Sequence, residues 1–459
     1  MKTQRGLLLV LLLCCAGAQP AETPPGASAL PVALPRRALR WINPDETGGL
    51  AAHGTYTNAL GVLGVVNASG AADATGHPFF ASLGSNGRAC VSCHQPQDGM
   101  SLSLDSIHRQ WQVTQGQDPI FAAVDGADCP HLPQEQAASH SLLLNRGLFR
   151  VFLPWPPRDA KGQAIAPEFT LEVLRDPTGC NTHAQFGLAA PDPKVSVYRR
   201  PRPAANLKYA IRQPFNLMAD ARAASLSAQA ADAAATHLER REPLTAAQLA
   251  AIVDFERQVY VAQVIDRKAG RLVEPGAPAA LGPAALVDGA AGLAADSRHP
   301  VFGGPDDWAT TPDTPARAAI VRGQQLFAAR RFRHAGASES CASCHDMRLT
   351  GLNTRTGWIN AGTTTQDAIA ELPLFRLTCK ASRRVVLTQD PGRALISGQC
   401  RDIGAIVLQP LRGLASRPPY FASGSAATLR EVIDLHAARY NGHYSEQEKA
   451  DLASFLGVL

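Results

Sequence analysis

Two Cys-x-x-Cys-His runs constrain this chain more than any other feature. They are Cys90-Val91-Ser92-Cys93-His94 and Cys341-Ala342-Ser343-Cys344-His345. Two thiols separated by two residues on a turn can reach both vinyl groups of one porphyrin, and the histidine that follows can ligate its iron. We therefore predict two covalently attached haem c groups. The predicted attachment sites are Cys90, Cys93, Cys341 and Cys344. The predicted proximal iron ligands are His94 and His345.

The first eighteen residues have the pattern of a secretory signal peptide. Lys2 and Arg5 precede an apolar run over residues 7–15, and small residues follow up to Ala18. The run is too short to cross a bilayer as a helix, although an N-terminal anchor is the alternative interpretation. We expect cleavage after about Ala18 and a periplasmic location.

Export bears on how the cysteines are interpreted. A lone Cys-x-x-Cys also suits zinc or a redox dithiol, but zinc usually takes two such pairs at one site, and two exported Cys-x-x-Cys-His copies favour haem.

Cysteines outside the motifs favour disulfides in an oxidising compartment. The preferred pairing keeps each bridge on one side of the predicted linker, and free buried cysteines are the alternative. It joins Cys129 to Cys180 and Cys379 to Cys400.

The length of 459 residues suits two or three domains, and a 45% hydrophobic content is enough for a core. The net charge of +5 is scattered without a Lys/Arg stripe, so nucleic acid is not an expected partner. The expected segments are a signal peptide (1–18), a flexible leader (19–40), an N-terminal cytochrome c-like haem domain (41–265), a Gly/Ala/Pro-rich linker (266–315) and a C-terminal cytochrome c-like haem domain (316–459).

Local signals are predominantly helical. Thr428 begins a capping-box pattern with Glu431, and residues 244–265 read as one long helical stretch. Strand signals are short, over residues 149–153 and 169–174. The predicted fold class is mostly α, with two cytochrome c-like haem domains, a few short β strands and long loops.

The sixth ligand of each iron decides whether the iron can bind a small molecule. His436 is the candidate for the second haem, since it shares an apolar helix face with Val432 and Ile433. The alternative is a core histidine bonded to a backbone carbonyl or a haem propionate. The first haem has His108 as its leading candidate, on a predicted helix. The other candidates are Met100, His131 and His140. For each of them the alternative is a purely structural role.

Both motifs and several further runs resemble the bacterial di-haem cytochrome c peroxidase and MauG family. The resemblance covers most of residues 75–459, and its most specific part is the C-terminal block. The runs that carry it are Leu411-Arg412-Gly413-Leu414-Ala415, Pro419-Tyr420-Phe421-Ala422-Ser423-Gly424-Ser425-Ala426-Ala427-Thr428-Leu429, Glu446-Gln447-Glu448-Lys449-Ala450-Asp451-Leu452, Ser85-Asn86-Gly87-Arg88-Ala89 and Asn145-Arg146-Gly147-Leu148.

The resemblance implies a division of labour between the haems. The N-terminal haem would bind and reduce hydrogen peroxide, and the C-terminal haem would supply electrons from a small c-type cytochrome or cupredoxin, or store an oxidising equivalent. His436 falls where the family has a Met or Tyr ligand, so the second haem would be bis-His, with a lowered reduction potential relative to His/Met. A homodimer and bound calcium are also implied.

The sequence departs from the family pattern at two places. The family's Trp-Asp-Gly-Arg run, whose Trp relays electrons, is here Ala219-Asp220-Ala221-Arg222, and its Tyr-Phe-His-Asp-Gly is Tyr420-Phe421-Ala422-Ser423-Gly424. The family's distal glutamate falls on Glu239, which would move a proton near open iron or would simply be a solvated helix residue.

Three functions are therefore compared. The leading one is a periplasmic di-haem oxidoreductase of the peroxidase class, which reduces peroxide at the N-terminal haem. The second is a non-enzymatic di-haem electron carrier with both irons six-coordinate, which the missing relay Trp favours. The third is MauG-like oxidation of a partner protein, which a Tyr at the position of His436 would have favoured.

Overall fold

The computed structural model describes residues 41–211, 217–288, 308, 311–334, 336–347, 350–351, 357–364 and 369–459. The predicted signal peptide and leader, residues 1–40, and residues 289–307 of the predicted linker lie outside these ranges. Within the described ranges, none of the helices is both long enough and apolar enough to cross a membrane.

Helices and strands alternate along the described chain. The α-helices are α1 Leu104–Thr114, α2 Ser141–Arg146, α3 Leu207–Ala210, α4 Leu226–His237, α5 Ala246–Glu256, α6 Gly282–Asp288, α7 Pro315–Ala329, α8 Cys341–Cys344, α9 Ala394–Ser397, α10 Leu429–Arg439 and α11 Glu446–Gly457. The strands are β1 Gly49–Leu50, β2 His53–Asn58, β3 Gly61–Asn67, β4 Ala72–Asp73, β5 Phe149–Pro154, β6 Phe169–Arg175, β7 Lys194–Arg199, β8 Val259–Asp266, β9 Gly270–Arg271, β10 Phe332–His334, β11 Ala337–Glu339, β12 Leu374–Cys379 and β13 Val385–Thr388.

The prediction of a mostly α fold is wrong, because 31% of residues are helical and 20% are in strands. The predicted helix over residues 244–265 shows the cause. Its first part is α5, which starts at the capping box of Thr245 and Gln248, but residues 259–266 form β8. That segment is rich in β-branched and aromatic residues, whose preference for a pleated sheet prevails once a partner strand is available.

A four-stranded sheet with the order β2-β3-β8-β9 lies beside the first motif. Its central strand β3 is buried along its whole length, and it pairs antiparallel with β8. Because both faces are covered, β3 is a continuous apolar run rather than an alternating one. One side of this sheet therefore adds to the core that holds Phe79, Phe80 and Phe255 near the first motif.

A second sheet joins the two halves of the chain. Its order is β13-β12-β6, and Leu377 of β12 pairs with Leu171 of β6. Phe169 and Phe375 lie in the core that this sheet shares with the two-stranded β5–β7 sheet. The two strands predicted from sequence, over residues 149–153 and 169–174, are confirmed as β5 and β6. The halves are thus packed against each other through paired backbone.

Both predicted disulfides are confirmed. Cys129 is bonded to Cys180 with a Cα–Cα distance of 5.4 Å, and Cys379 is bonded to Cys400 with a Cα–Cα distance of 6.0 Å. The second bridge ties the end of β12, the central strand of the shared sheet, to the segment after α9.

Three helices surround the second motif. The longest, α7, starts at the N-cap Thr314 and packs against α11 so closely that a Cβ on Gly323 would lie 2.0 Å from the carbonyl oxygen of Asp451. The third, α10, starts at Thr428, whose side chain accepts a hydrogen bond from the backbone of Glu431. Caps of this type stabilise a helix by about 1 kcal/mol. Phe327 of α7 lies next to the motif within this group of helices.

Candidate functional site

The histidines of the two motifs are held in the same way. Nδ1 of His94 donates to the carbonyl oxygen of Met100 at 2.9 Å, and Nδ1 of His345 donates to that of Gly351 at 2.8 Å. This bond fixes the ring and its tautomer and leaves Nε2 as the ligating nitrogen, as is usual for metal-bound histidine. Burial lowers the pKa of His94 to about 4 and also lowers that of His345, so both rings are neutral at pH 7.

The four motif thiols are unpaired, although the other four cysteines of the described chain form disulfides. Burial raises the pKa of Cys93 and of Cys341 to about 12, so the reactive thiolate is disfavoured. A redox dithiol or nucleophile requires the opposite shift. The described residues also contain no group of three His, Cys, Asp or Glu side chains suited to a metal ion.

The second motif opens into a cavity of about 1590 Å³, counting its open mouth. We call it the C-terminal cavity. Cys341, Cys344 and His345 line it, and so does one face of α10. Its remaining walls near the motif are mostly apolar. They include Phe327, Leu429, Ile433 and Leu456.

His436 of α10 lines this same cavity. Its Nδ1 lies 3.0 Å from the carbonyl oxygen of Val432, and its ring stacks on Phe421 at a centroid distance of 5.3 Å. Burial, followed by the influence of His345, lowers the pKa of His436 to about 4. The structure therefore brings two neutral imidazoles, His345 and His436, into one cavity, each with Nδ1 occupied and Nε2 available. Both residues could therefore ligate the iron of one haem held at this motif.

The first motif opens into a second cavity of about 980 Å³, the N-terminal cavity. Cys93 and His94 line it together with one face of α4. Positions three or four residues apart on a helix share a face. The α4 residues that line the cavity are Leu226, Gln229, Ala233 and His237.

The loops that lead into α4 and α10 have the same backbone conformation. An isolated antiparallel bridge joins Leu217 to Ala223 in the first loop, and the equivalent bridge joins Tyr420 to Ala426 in the second. In each loop the residue after the first bridge position has a positive φ, 68° in one and 65° in the other. The helices then start at equivalent caps, so their positions can be compared directly.

The other predicted iron ligands do not line the N-terminal cavity. Nε2 of the exposed His108 lies against the carbonyl oxygen of Leu144, and the exposed His131 stacks on His183. Both ring nitrogens of the buried His140 lie within 2.9 Å of backbone carbonyl oxygens. Each of these contacts has a structural role, which was the alternative interpretation.

Met100, a candidate ligand, and Glu239, the candidate proton-transfer residue, do not line the N-terminal cavity either. The carbonyl oxygen of Met100 accepts the hydrogen bond of His94, which puts this residue on the proximal side of the motif. Glu239 follows α4 in a left-handed turn with φ of 52°, is exposed, and does not line the N-terminal cavity. The acidic side chains that line that cavity are instead Asp125 and Glu256, the latter at the end of α5.

A cluster of three arginines separates the two cavities, with Arg200 and Arg417 buried and Arg202 half-buried. Arg200 and Arg202 line both, and Arg417 lines the C-terminal cavity. Burial, followed by the charge of Arg417, lowers the pKa of Arg200 to about 9 and that of Arg202 to about 10. Their hydrogen bonds go to neutral oxygens, such as the carbonyls of Val407 and Leu408 at 2.8 Å from Arg202. Buried charges usually need a counter-ion, and haem propionates would provide one.

Ala219 lines both cavities and thus lies between the two motifs. It occupies the position of the family's relay tryptophan, so no aromatic ring bridges the cavities at this point. The neighbouring Asp220 is fully buried and accepts hydrogen bonds from Arg199 at 2.6 Å and from Arg222 at 2.9 Å. The rest of this run therefore has a structural role.

Sequence reasoning missed the residues that complete the N-terminal cavity. They include Asp125, His237, Glu256 and the arginines at 200 and 202. A usable signal existed for His237 alone, because it lies on the same face as the other cavity-lining positions of a helix with a serine cap. The others depend on contacts between distant segments.

The protonation state of Glu256 in this cavity can be tested through the stability of the haem-loaded protein. The side chain is buried, one carboxyl oxygen has no hydrogen-bond partner among the described residues, and burial raises its pKa from 4.5 to about 8. The folded state then holds a proton that the unfolded state releases, so stability falls as pH rises from 4.5 towards 8. We expect Glu256→Gln to stabilise the protein at pH 8 by about 3 kcal/mol, and hardly at pH 4.5.

Urea unfolding at both pH values measures this effect. Asp254→Asn, on the exposed side of the same helix, is the matched control and should change stability little at either pH. Equal stability changes for Glu256→Gln at pH 4.5 and pH 8 would show that the carboxyl group is ionised in the folded protein.

Comparison with known proteins gives little further information. No family model matches the sequence, and no curated protein matches it. Among solved structures the chain is similar to a MauG-like protein associated with microbial copper homeostasis, with 17% sequence identity and a TM-score of 0.38. The similarity covers 83% of this chain and 86% of that one. A similarity this low assigns neither fold nor function.

Proposed function

We propose that this chain is a periplasmic di-haem c-type oxidoreductase that reduces hydrogen peroxide at the N-terminal haem and receives electrons through the C-terminal haem. The overall reaction consumes one peroxide, two electrons and two protons and releases two waters. A small c-type cytochrome or a cupredoxin would supply the electrons. The haem iron, when bound, provides redox chemistry that side chains lack.

The side chains present fit two haems. Cys90, Cys93, Cys341 and Cys344 would hold them covalently, and Nε2 of His94 and of His345 would ligate the irons. The arginine cluster of Arg200, Arg202 and Arg417 would pair with propionate carboxylates between the cavities. The apolar lining of the C-terminal cavity near its motif would exclude water from the porphyrin face.

One asymmetry supports peroxide chemistry at the N-terminal haem. His436 is the eighth residue after the cap of α10, Thr428, whereas the eighth residue after the cap of α4, Ser225, is Ala233. Both residues line their cavities at equivalent helix positions. The methyl group of Ala233 cannot ligate iron, so a haem held at the first motif would keep a position open to a small molecule, whereas His436 would occupy that position on the other haem.

The proposal is tested on protein purified from the periplasm. Absorbance of the pyridine haemochrome should give two haems per chain, and the resting protein should show one high-spin and one low-spin ferric signal in electron paramagnetic resonance. Peroxide should then oxidise a reduced cytochrome c catalytically. Fewer than two haems would overturn the di-haem assignment.

The electron carrier is the second candidate, and the absence of an aromatic side chain at Ala219 favours it. A carrier predicts two low-spin irons and no peroxide turnover in the same experiment. That outcome would replace the peroxidase assignment while leaving the two haems in place.

A further inference from the structure

We infer that His237 is the proton-transfer group on the open side of the N-terminal haem and that Asp125 positions it. This inference rests on the function proposed above. His237 is the last residue of α4 and shares the cavity-lining face of that helix with Gln229 and Ala233. It is the imidazole that lines the N-terminal cavity besides the motif histidine, among the described residues.

Asp125 holds the ring of His237 in one orientation. One carboxylate oxygen accepts a short hydrogen bond from Nδ1 of His237, and the other pairs with the fully buried Arg88. Burial alone would raise the pKa of Asp125, but Arg88 and His237 bring it below its usual range. An ionised carboxylate can only accept, so Nδ1 of His237 is the donor in this bond and Nε2 is the ring nitrogen that Asp125 leaves unengaged.

Nε2 of His237 has no hydrogen-bond partner in the part of the chain that the structure describes. The side chain is 30% exposed, and the group lines a cavity. The carbonyl oxygen of the same residue accepts a hydrogen bond from the side chain of Asn86 at 2.9 Å, which anchors the end of the helix. A fixed imidazole with one free nitrogen is the arrangement that general acid–base catalysis requires.

The helix position distinguishes a proton-transfer group from an iron ligand. His237 is the twelfth residue after its cap, one turn beyond Ala233, and the twelfth residue after the cap of α10 is Tyr440. Four residues advance a helix by about 6 Å. Tyr440 accordingly lies beside His436 rather than at its position, with ring centroids 5.9 Å apart. His237 would likewise lie beside a molecule bound at the open position.

The chemistry for this position is proton movement within peroxide. Nε2 of His237 takes the proton from one peroxide oxygen and delivers it to the other, which leaves as water when the O–O bond breaks. Two electrons from the reduced donor protein and two solvent protons convert the remaining oxygen to the second water. His237 is regenerated in the cycle.

Cyanide binding tests the inference independently of turnover. Hydrogen cyanide must lose its proton when it binds ferric haem, so a nearby base accelerates its association. In the resting di-haem protein we expect His237→Ala to slow cyanide association at the N-terminal haem at least about 100-fold without changing its high-spin signal. His237→Gln, which keeps a polar side chain, should be equally slow. The matched control Glu239→Ala, at the exposed residue two positions later, should associate at the wild-type rate.

The outcomes separate the inference from the proposed function. If the wild-type protein lacks the second haem, the proposed function fails before cyanide is added. If both haems are present and His237→Ala binds cyanide at the wild-type rate, the inference alone is overturned. It is also overturned if the wild-type N-terminal haem is low spin and His237→Ala makes it high spin, because His237 would then be an iron ligand.

Discussion

His436→Ala is expected to convert the C-terminal haem from low spin to high spin in the resting protein. His345 and His436 line one cavity with Nε2 of both rings available, and each Nδ1 is engaged by a backbone carbonyl. The methyl group that replaces the second imidazole cannot ligate iron. Electron paramagnetic resonance and the absorption spectrum of the ferric protein measure the change, which should be complete.

The control for this variant is His443→Ala, in the same half of the chain. His443 is exposed and does not line the C-terminal cavity, so the spin state should not change. His436→Met provides a second measurement, because a Met ligand raises the reduction potential relative to His. A low-spin signal that persists unchanged in His436→Ala would remove this residue as the sixth ligand.

Asp220→Asn is expected to destabilise the protein by about 3–5 kcal/mol. Asp220 is fully buried between Arg199 and Arg222, and Arg199 also binds Asp390 of the C-terminal half at 2.7 Å. The variant removes the buried carboxylate that the two guanidinium groups share, and leaves Arg199 with Asp390 and Arg222 with the partly exposed Asp232. Urea unfolding of the haem-loaded protein at pH 7 measures the loss.

The same carboxylate adds a dependence on acid pH. Burial alone would raise the pKa of Asp220, but Arg222 and Arg199 bring it from 3.8 to about 2. Because the folded pKa lies below the unfolded one, this stabilisation is present above pH 3.8 and is lost as the pH falls towards 2. The difference in stability between Asp220→Asn and the wild-type protein should therefore become small in acid.

Asp232→Asn is the matched control, since Asp232 pairs with the same Arg222 from a 42% exposed position. An exposed partner contributes at most about 1 kcal/mol. Equal losses in the two variants would contradict the view that burial makes the pairing at Asp220 important. A large loss in Asp220→Asn with a small loss in Asp232→Asn would show that Asp220 stabilises the fold, whatever the role of its run in electron transfer.

The sequence predicted local features well and the fold class poorly. The disulfides, strands β5 and β6 and the cap of α10 agree with it, because a cap is read from a few neighbouring residues. The strand β8 was missed because β-propensity depends on the partner strand, and its partner β3 lies about 200 residues earlier in the chain.

The sequence by itself determined that four thiols and two histidines occur in haem-attachment spacing, because that chemistry needs only five consecutive residues. Only the tertiary structure decided what surrounds them. His237 and Asp125 are 112 residues apart, and Arg199 and Asp390 are 191 apart, so no local pattern relates them. Hydrogen bonds and ion pairs act over a few ångströms of space whatever the separation along the chain, and the fold alone brings such groups that close.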